Sequence, residues 1–474
     1  MTASLPPLLA DATRDLAAFA AGLTFDAIPP EVVAHAKLCL LDGIGVCLHG
    51  ATLPWSRMVQ EMAIAEGGAP SASLWGRGHR TSWSQAVLAN STAGHAFEMD
   101  DIHKDSVLHP NSLTVPIALG YTERQESGSG PAVSGRGLLT AIIAGYEVGT
   151  RVGNAATTRL FLNGFHPQGT TGAFAAAATA GRLLELSPAA MHHTLGIAGS
   201  LGSGLMAAQE GAMVKRLHAG RAAQSGVYAA LLAERGFTGI SDVLEAAYGG
   251  FLSALSREPD MSRLTAGLNG TWETLNVGFK MYPNVTSIHS ALDALDDLMR
   301  THGLTAADIE RIEVGVGHMT YVHTAWEYKP AGVTAAQMNM FFGLASMAHA
   351  RSLGPADYVE DRLADPALLA FMRRIAVHED AGIEAMGRHA RHACRMTLTT
   401  VKGETLQREV IDRRGSPENP VDRAALEVKF RSNVRSCLSG AEADRVAALV
   451  AGFEGLASTR ELTSILAGKA ERQP

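Results

Sequence analysis

The chain has 474 residues, of which 46% are hydrophobic and 18% are charged, so its length allows roughly two to four domains. Lys and Arg number 40 against 47 Asp and Glu, and the resulting formal charge of -7 is spread along the chain, which excludes the basic footprint of a nucleic-acid-binding protein. The charged fraction lies below the roughly one-quarter of an average soluble domain, which predicts that a partner subunit covers part of the surface.

Cysteine use and hydropathy limit the location and the cofactors. No C-x-x-C pair occurs among Cys39, Cys47, Cys394 and Cys437, which argues against an iron–sulfur cluster, a structural zinc site and a disulfide framework. The N-terminus lacks the basic start of a signal peptide. No apolar run approaches the ~18 residues of a membrane span. We therefore expect a cytoplasmic protein that binds neither a membrane nor nucleic acid.

Apolar residues recur at helical spacing over the first half of the chain. Ser187 and Pro188 predict the start of one helix as N-cap and first-turn proline, and Gly236 predicts the end of another. The many Ala and Gly residues predict close packing between helices. The predicted helices are 8–21, 30–49, 84–98, 138–152, 173–186, 188–198 and 218–235.

Near residue 270, alternating apolar residues replace the helical spacing. Strands are predicted at 272–279, 312–316, 396–401 and 405–411, with Lys402–Glu404 as a hairpin turn, and helices at 286–302, 334–352 and 365–374. The helical pattern then returns. The predicted fold class is mainly α: a large all-helical domain built from both chain ends, residues 1–269 and 417–474, with an inserted smaller α+β lid domain, residues 270–416.

The densest polar segment, residues 94–110, combines carboxylates with imidazoles. Such neighbours suit acid–base chemistry, because a carboxylate fixes the tautomer of a histidine and raises its basicity. A solvated acidic loop is the plain alternative, and a metal site is a weaker one, because no i, i+4 His pair or H-E-x-x-H spacing occurs. The polar residues are Glu98, Asp100, Asp101, His103, Asp105 and His109.

Three further segments could carry chemistry. His166 stands before a proline at a Gly/Thr-rich helix start, whose free N–H groups could hold a carboxylate. Lys215 stands before a helix and could pair with a substrate carboxylate. His289 follows a Tyr-Pro turn at the predicted domain boundary. Ordinary capping or surface roles remain open for each of them.

In this order and at these separations, the segments resemble the MmgE/PrpD family. The matching stretches are 90–95 with 98–101, His109-Pro110, 164–167, 215–220 and 279–289, and the resemblance covers most of the chain. It implies a homodimer with a helical domain and an α+β lid. It also implies activity without metal or organic cofactor on small di- or tricarboxylic acids.

Carried over by position, the resemblance implies site residues. The family pattern reads roughly D-F-[DN]-D-T, whereas this chain has Glu98-Met-Asp-Asp-Ile102 followed by His103, which leaves the substrate open. The predicted catalytic residues are His109, His289, Lys215 and Asp101. The predicted substrate-binding residues are Glu98, Asp100, His103, His166, Lys280 and Tyr328.

The predicted activity is that of a cofactor-independent dehydratase acting on a small hydroxy di- or tricarboxylate. His109 and His289 would be acid–base partners for a proton alpha to a carboxylate, and Lys215 would bind a carboxylate. Isomerisation or epimerisation by the same proton abstraction and decarboxylation remain open alternatives. A non-catalytic carboxylate-binding scaffold and a metal hydrolase are the alternatives from other classes.

Overall fold

The computed structural model describes residues 11–128 and 130–468. Helices account for 59% of the residues and strands for 9%, which confirms the mainly α class with a small α+β portion. The helices of the first part are α1 Ala12–Gly22, α2 Pro30–Ala51, α3 Pro54–Glu66, α4 Trp83–Gly94, α5 Asn111–Ser127, α6 Gly135–Leu162, α7 Gly172–Leu183, α8 Pro188–Leu201, α9 Val214–Glu234 and α10 Phe251–Leu255.

The second part of the chain mixes helices with strands. Its helices are α11 His289–Thr301, α12 His318–Thr324, α13 Val333–Gln337, α14 Met340–Ala350, α15 Glu360–Leu363, α16 Pro366–Met372, α17 Ala381–Ala385, α18 Arg423–Val434, α19 Gly440–Ala451 and α20 Arg460–Ala467. The strands of the whole chain are β1 Ala72–Leu74, β2 His79–Thr81, β3 Ile102–His103, β4 Val277–Gly278, β5 Ile309–Val316, β6 Ile375–Glu379, β7 Cys394–Thr400 and β8 Thr405–Val410.

The larger hydrophobic core joins helices α1 to α10 with helices α18 to α20. Small residues bring its helices close together. A Cβ on Gly145 of α6 would lie 2.0 Å from the Thr179 Oγ1 of α7, and one on Gly226 of α9 would lie 2.4 Å from the Ala176 Cβ. Both chain ends therefore contribute to one helical core, while the domain boundaries themselves stay a prediction.

The second core covers a four-stranded sheet of order β6-β5-β7-β8. Strands β5 and β6 are parallel, and the other two pairings are antiparallel. The turn between β7 and β8 contains Gly403, whose φ of 83° lies in the region that favours glycine. Helices α11, α14 and α16 pack their apolar side chains into this core. The smaller sheets pair β1 with β2 and β3 with β4.

Several element predictions were wrong in detail. The helix predicted over 84–98 ends at Gly94, so the polar segment begins outside it. The strand predicted over 272–279 is reduced to β4, because residues 273–276 form a 3-10 turn whose backbone N–H groups donate to the buried Glu147 carboxylate. The helix predicted over 334–352 is split into α13 and α14, because Asn339 caps the second one.

Other differences concern the ends of the chain and one apolar helix. The helix predicted from residue 8 begins at Ala12, and residues 8–10 lie outside the described part of the chain. Helix α2 has 22 residues, and its most apolar 18-residue stretch has a mean hydropathy of 1.5, so by length and composition it could cross a membrane, contrary to expectation. Because 72% of that apolar stretch is buried in the protein, packing in the core accounts for its composition. The cytoplasmic location stays a prediction.

Candidate active site

A small cavity of about 70 Å³ lies between the polar segment after α4 and the segments that follow β4. It is far smaller than the roughly 300–1,000 Å³ of a typical ligand pocket. Two depressions of about 990 and 1070 Å³ lie elsewhere, and no described histidine lines either of them. The polar residues that line the small cavity are Glu98, His109, His166, Gln209, Lys215, Lys280, Thr286, Ser287, His323, Arg391 and His392.

The loop between α4 and α5 places two of these side chains. Its backbone is strained at Glu98 and Val107, which line the cavity with φ values of 55° and 54° although neither is a glycine. Such strain costs about 1–3 kcal/mol per residue and clusters at functional sites. Gln168 fixes the end of the loop, because its side-chain amide accepts from the His109 N–H and donates to the His109 carbonyl, at 2.9 and 3.0 Å.

Glu98 is the centre of a buried ion cluster. Its Oε1 accepts hydrogen bonds from Lys215 and, at 2.7 Å, from Arg216, and its Oε2 accepts one from Lys280 at 2.8 Å. Burial alone would raise the pKa of Glu98, but the three cations hold that pKa well below its usual value. Three cations against the carboxylates of Glu98 and Asp100 leave an excess of positive charge, which suits an anionic ligand.

Lys215 lies in the first turn of α9 and faces the cavity. Burial lowers the pKa of its ammonium group to about 8, although the Glu98 carboxylate counteracts that effect. The group therefore titrates near neutrality, unlike an exposed lysine. It can bind a carboxylate while it is charged.

Asp100 connects two histidines. Its Oδ2 lies 2.6 Å from the His95 Nδ1, and its Oδ1 lies 3.4 Å from the His109 Nδ1. The Nδ1 of His109 also lies 2.6 Å from the Asp101 carbonyl oxygen, which can only accept, so that nitrogen carries the proton. Burial lowers the pKa of His109 to about 3. His109 is therefore neutral, with a free lone pair on Nε2, and this is the state of a general base.

His166 and His218 form a second imidazole pair. Their Nδ1 atoms lie 2.8 Å apart, so one ring donates to the other. The ring centroids of His95 lie 5.1 Å from His109 and 5.6 Å from His166, and those of His166 and His218 lie 5.1 Å apart. Burial lowers the pKa of His218 to about 4 and that of His166 well below its usual value. Four neutral imidazoles thus lie in series beside the cavity.

The described residues that line the cavity do not include His289 or Tyr328. His289 is buried at the start of α11, and its Nε2 donates to the Asn284 carbonyl at 3.1 Å. The Tyr328 hydroxyl donates to the Leu363 carbonyl at 3.0 Å, and its ring contacts Phe342. The pairing of His289 with His109 and the substrate contact of Tyr328 therefore stay predictions.

The side chains of Asp101 and His103 form hydrogen bonds that hold the loop between α4 and α5. Asp101 accepts from the Tyr146 hydroxyl at 2.6 Å and from the Asn111 N–H at 3.1 Å, and burial raises its pKa well above its usual value. His103 contacts Ser106 at 2.9 Å and Glu273 at 3.0 Å. Among the residues that the structure describes, the cavity lining includes neither side chain, so each can act on a ligand only through the loop.

Several site residues were not predicted. His95 and Arg216 stand beside predicted residues, and their pairing with Asp100 and Glu98 could have been found from that proximity. His218 is three residues beyond Lys215, on the same face of α9. His323 and His392 line the cavity from distant parts of the chain that carry no motif, so only the fold brings them there.

The buried group formed by His95, Asp100 and His109 consists of residue types that also bind metal ions. Ligand atoms of His95, Asp100 and His109 lie within 4.8 Å of one another. However, the Lys280 ammonium lies 3.7 Å from Asp100 Oδ1, and the His109 Nδ1 is engaged by the Asp101 carbonyl. Cations so close would repel a divalent ion, so the donor set fits a hydrogen-bonded cluster better than a metal centre.

A larger opening adjoins the cavity. This vestibule of about 560 Å³ shares Gln209, His323 and Met338 with the cavity lining, and Trp326 and Lys329 also line it. It supplies a route by which a small anion could reach the buried cations.

The chain belongs to the MmgE/PrpD family. The MmgE/PrpD N-terminal domain matches residues 14–264, and the MmgE/PrpD C-terminal domain matches residues 282–454. This confirms the family that the sequence motifs indicated.

Similar proteins match over nearly the whole chain. The cis-aconitate decarboxylase-like protein oryM of Aspergillus oryzae is 30% identical over 461 residues, which cover 93% of this chain and 94% of that protein. The cis-aconitate decarboxylase of Aspergillus terreus is 28% identical, with 96% and 95% covered. The cis-aconitate decarboxylase of Homo sapiens is 25% identical, with 97% and 95% covered.

Proposed function

We propose that this protein is a lyase that decarboxylates a small unsaturated tricarboxylate in the buried cavity. Its family and its relatives indicate an enzyme that acts on small carboxylic acids. One observation carries the proposal: buried Lys215 and Lys280 line the same small cavity as the neutral imidazoles of His109 and His166. Such a reaction needs cations that bind the carboxylates of the substrate and imidazoles that transfer protons.

A bound substrate carboxylate would take over part of the contacts that the Glu98 carboxylate makes. In the structure the Glu98 carboxylate forms ion pairs with Lys215, Arg216 and Lys280. A substrate carboxylate that enters from the vestibule would share these cations, and the contacts would be strong because the site is shielded from water. The added negative charge would also raise the pKa values of Lys215 and of the neighbouring imidazoles, which favours their protonated forms during the reaction.

The decarboxylation itself consumes one proton. In a tricarboxylate such as cis-aconitate, one carboxylate is carried by a CH2 group next to the double bond. When that carboxylate leaves as CO2, the electron pair of the broken C–C bond forms a new double bond. The former double-bond pair moves to the carbon that carries another carboxylate, and that carbon takes the proton. Lys215 and Lys280 would stabilise the negative charge on that carboxylate, and His166 would deliver the proton.

Dehydration of a β-hydroxy acid is the second candidate, and the tautomer of His109 favours it. Because Nδ1 of His109 carries the hydrogen, its Nε2 can accept a proton alpha to a carboxylate. His166 would protonate the leaving hydroxide as water, so the whole reaction consumes no proton. Return of the proton to carbon instead would give isomerisation or epimerisation.

Proton NMR in deuterium oxide tests these alternatives together. The enzyme is incubated with unsaturated and hydroxy di- and tricarboxylates, with and without a chelator. The proposal predicts that cis-aconitate is converted to a dicarboxylate that carries one deuterium, with the chelator having no effect. Conversion of a hydroxy acid to an unsaturated acid without decarboxylation would support dehydration instead, and deuterium in recovered or epimerised substrate without loss of CO2 would support isomerisation or epimerisation. Tight binding without any product would identify a scaffold protein instead.

A matched pair of variants assigns the histidines. His166→Gln should lower kcat by about 10²–10⁴-fold in either reaction, since the proton donor is lost. His109→Gln should have that effect only if the reaction needs a base, as in dehydration, and should leave most of a decarboxylase activity. Circular dichroism checks that both variants are folded.

A further inference from the structure

His218 lies on the far side of His166 from the cavity. It lines an outer pocket of about 580 Å³ whose described lining residues are all different from those of the cavity. A contact of 2.8 Å between the Nδ1 atoms of His166 and His218 connects a side chain of the cavity lining to one of the outer pocket. The pair therefore joins the cavity to a separate part of the protein surface.

Backbone contacts hold the two rings in place. The His166 N–H donates to the Gly204 carbonyl at 2.9 Å, and the Ser203 N–H donates to the Gly169 carbonyl at 2.9 Å. A Cβ on Gly204 would lie 3.1 Å from the His218 ring and 3.4 Å from the His166 Cβ, so this backbone packs closely against both histidines. The Nδ1–Nδ1 contact is thus built into the fold.

A neutral imidazole needs a partner in order to act as an acid. If His166 gave its Nε2 proton to a substrate carbon alone, it would become an anion, which a buried site disfavours. It avoids that charge if another group supplies a proton to its Nδ1 at the same time. His218 is the only described side chain that hydrogen-bonds this nitrogen.

We propose that His218 is the proton partner of His166: it donates its Nδ1 hydrogen to His166, directs the His166 Nε2–H into the cavity, and takes up a replacement proton from water in the outer pocket. This rests on the proposed function, in which His166 delivers a proton to carbon. His218 is a positioning residue, because it acts through His166 and does not touch the substrate.

The protons balance over one cycle. His166 gives its Nε2 proton to the carbon, the Nδ1 proton of His218 moves to His166 Nδ1, and water in the outer pocket protonates His218 Nε2. After product release, water in the emptied cavity reprotonates His166 Nε2. The Nδ1 proton of His166 then returns to the His218 Nδ1, and the Nε2 proton of His218 returns to water in the outer pocket. Both histidines are then in their starting tautomers. The net result is one proton taken from solvent, which is the proton that decarboxylation consumes.

Chemical rescue tests the relay. His218→Ala should lower kcat by about tenfold or more while KM changes less than twofold, since acid–base groups contribute about 10²–10⁴ and His166 itself remains. Added imidazole should restore the rate with saturation, whereas 1-methylimidazole, which has no exchangeable N–H, should not. A His218→Ala enzyme with wild-type kcat, or a slow one that responds to neither or equally to both compounds, would overturn the relay.

A second variant and a control exclude a merely structural role. His218→Asn keeps an N–H donor near the Nδ1 position but cannot pass a proton on, so it should be as slow as His218→Ala while remaining folded. Wild-type kcat in this variant would mean that His218 only packs against His166. Arg221→Gln, in the same outer pocket, should leave kcat and its independence of imidazole unchanged.

A measurement without turnover separates this inference from the proposed function. In protein with 15N-labelled histidines, the relay predicts that His166 carries its hydrogen on Nε2 and that its Nδ1 accepts from His218. A hydrogen on His166 Nδ1 in the ligand-free protein would overturn the relay, whatever acids the enzyme converts. Absence of product from every acid, with this tautomer present, would overturn the proposed function alone.

Discussion

Glu98 sets the charge balance of the cavity, because its single buried carboxylate pairs with three cations and offsets only one of their positive charges. It stands where the family pattern has Asp, and its longer side chain reaches both lysines and Arg216 from a strained backbone position. Under the proposed function, a substrate carboxylate would compete with Glu98 for the same cations. The affinity for substrate would then depend on how easily Glu98 gives up these contacts.

Replacing Glu98 tests that balance. Glu98→Gln leaves three buried cations without their main counter-charge, so we expect a loss of about 3–5 kcal/mol in the free energy of unfolding. Glu454→Gln, which breaks a partly exposed pair with Lys37, is the control and should cost about 0–1 kcal/mol. Denaturant unfolding gives both values. A tricarboxylate should stabilise Glu98→Gln more than the wild type, and equal losses in the two variants would contradict this interpretation.

Deprotonation of Lys215 should lower the activity of the enzyme at alkaline pH. Its pKa of about 8 means that the ammonium group is charged below pH 8 and neutral above it, so carboxylate binding weakens as the pH rises through that value. We expect kcat/KM, which reports the free enzyme, to fall above about pH 8. In Lys215→Arg the guanidinium stays charged, so the activity that remains should lack this limb. If kcat/KM of Lys215→Arg still fell above about pH 8, the fall would be due to the titration of another group.

The sequence could predict the residues whose chemistry is local. Glu98, His109, His166 and Lys215 stand in short polar motifs, and all four line the cavity. His289 has an equally suggestive position after a Tyr-Pro turn, but it is buried against the Asn284 carbonyl. The direction of a side chain depends on packing between distant segments, which no local motif reports.

At the scale of elements, the close approach of α7 and α9 depends on Gly226. A Cβ at that position would lie 2.4 to 2.5 Å from atoms of Ala176 and Ala177. Gly226→Ala should therefore lower the free energy of unfolding by about 1–3 kcal/mol through overpacking, despite the better helix propensity of Ala. Gly440→Ala, at the open start of α19, should raise it by about 0.4–1 kcal/mol. Denaturant melts that show equal effects would contradict this packing account.

Elements with strong periodicity were predictable, and those fixed by distant hydrogen bonds were not. Strands β7 and β8 lie within two residues of their predicted ends because an alternating pattern and a Gly turn specify them locally. The segment before β4 alternates as well, but the Glu147 carboxylate of α6 holds it in a 3-10 turn. The partner is more than 120 residues away in sequence, so the local pattern cannot reveal it.

At the scale of the whole molecule, the low charged fraction still favours a partner subunit. We propose a homodimer, because the composition predicts a partner subunit and the family resemblance implies a dimer. Static light scattering should then give twice the chain mass of 49.9 kDa at micromolar concentration. A mass equal to that of one chain would contradict the proposal.

The most direct test of the account is a crystal structure with bound tricarballylate, the saturated counterpart of aconitate. We expect the carboxylates of the ligand to contact Lys215 and Lys280 in the buried cavity, with one carbon facing the Nε2 of His166. Glu98 would then share its cations with the ligand. A tricarballylate bound at a different site, in crystals of an enzyme that converts unsaturated tricarboxylates, would contradict it.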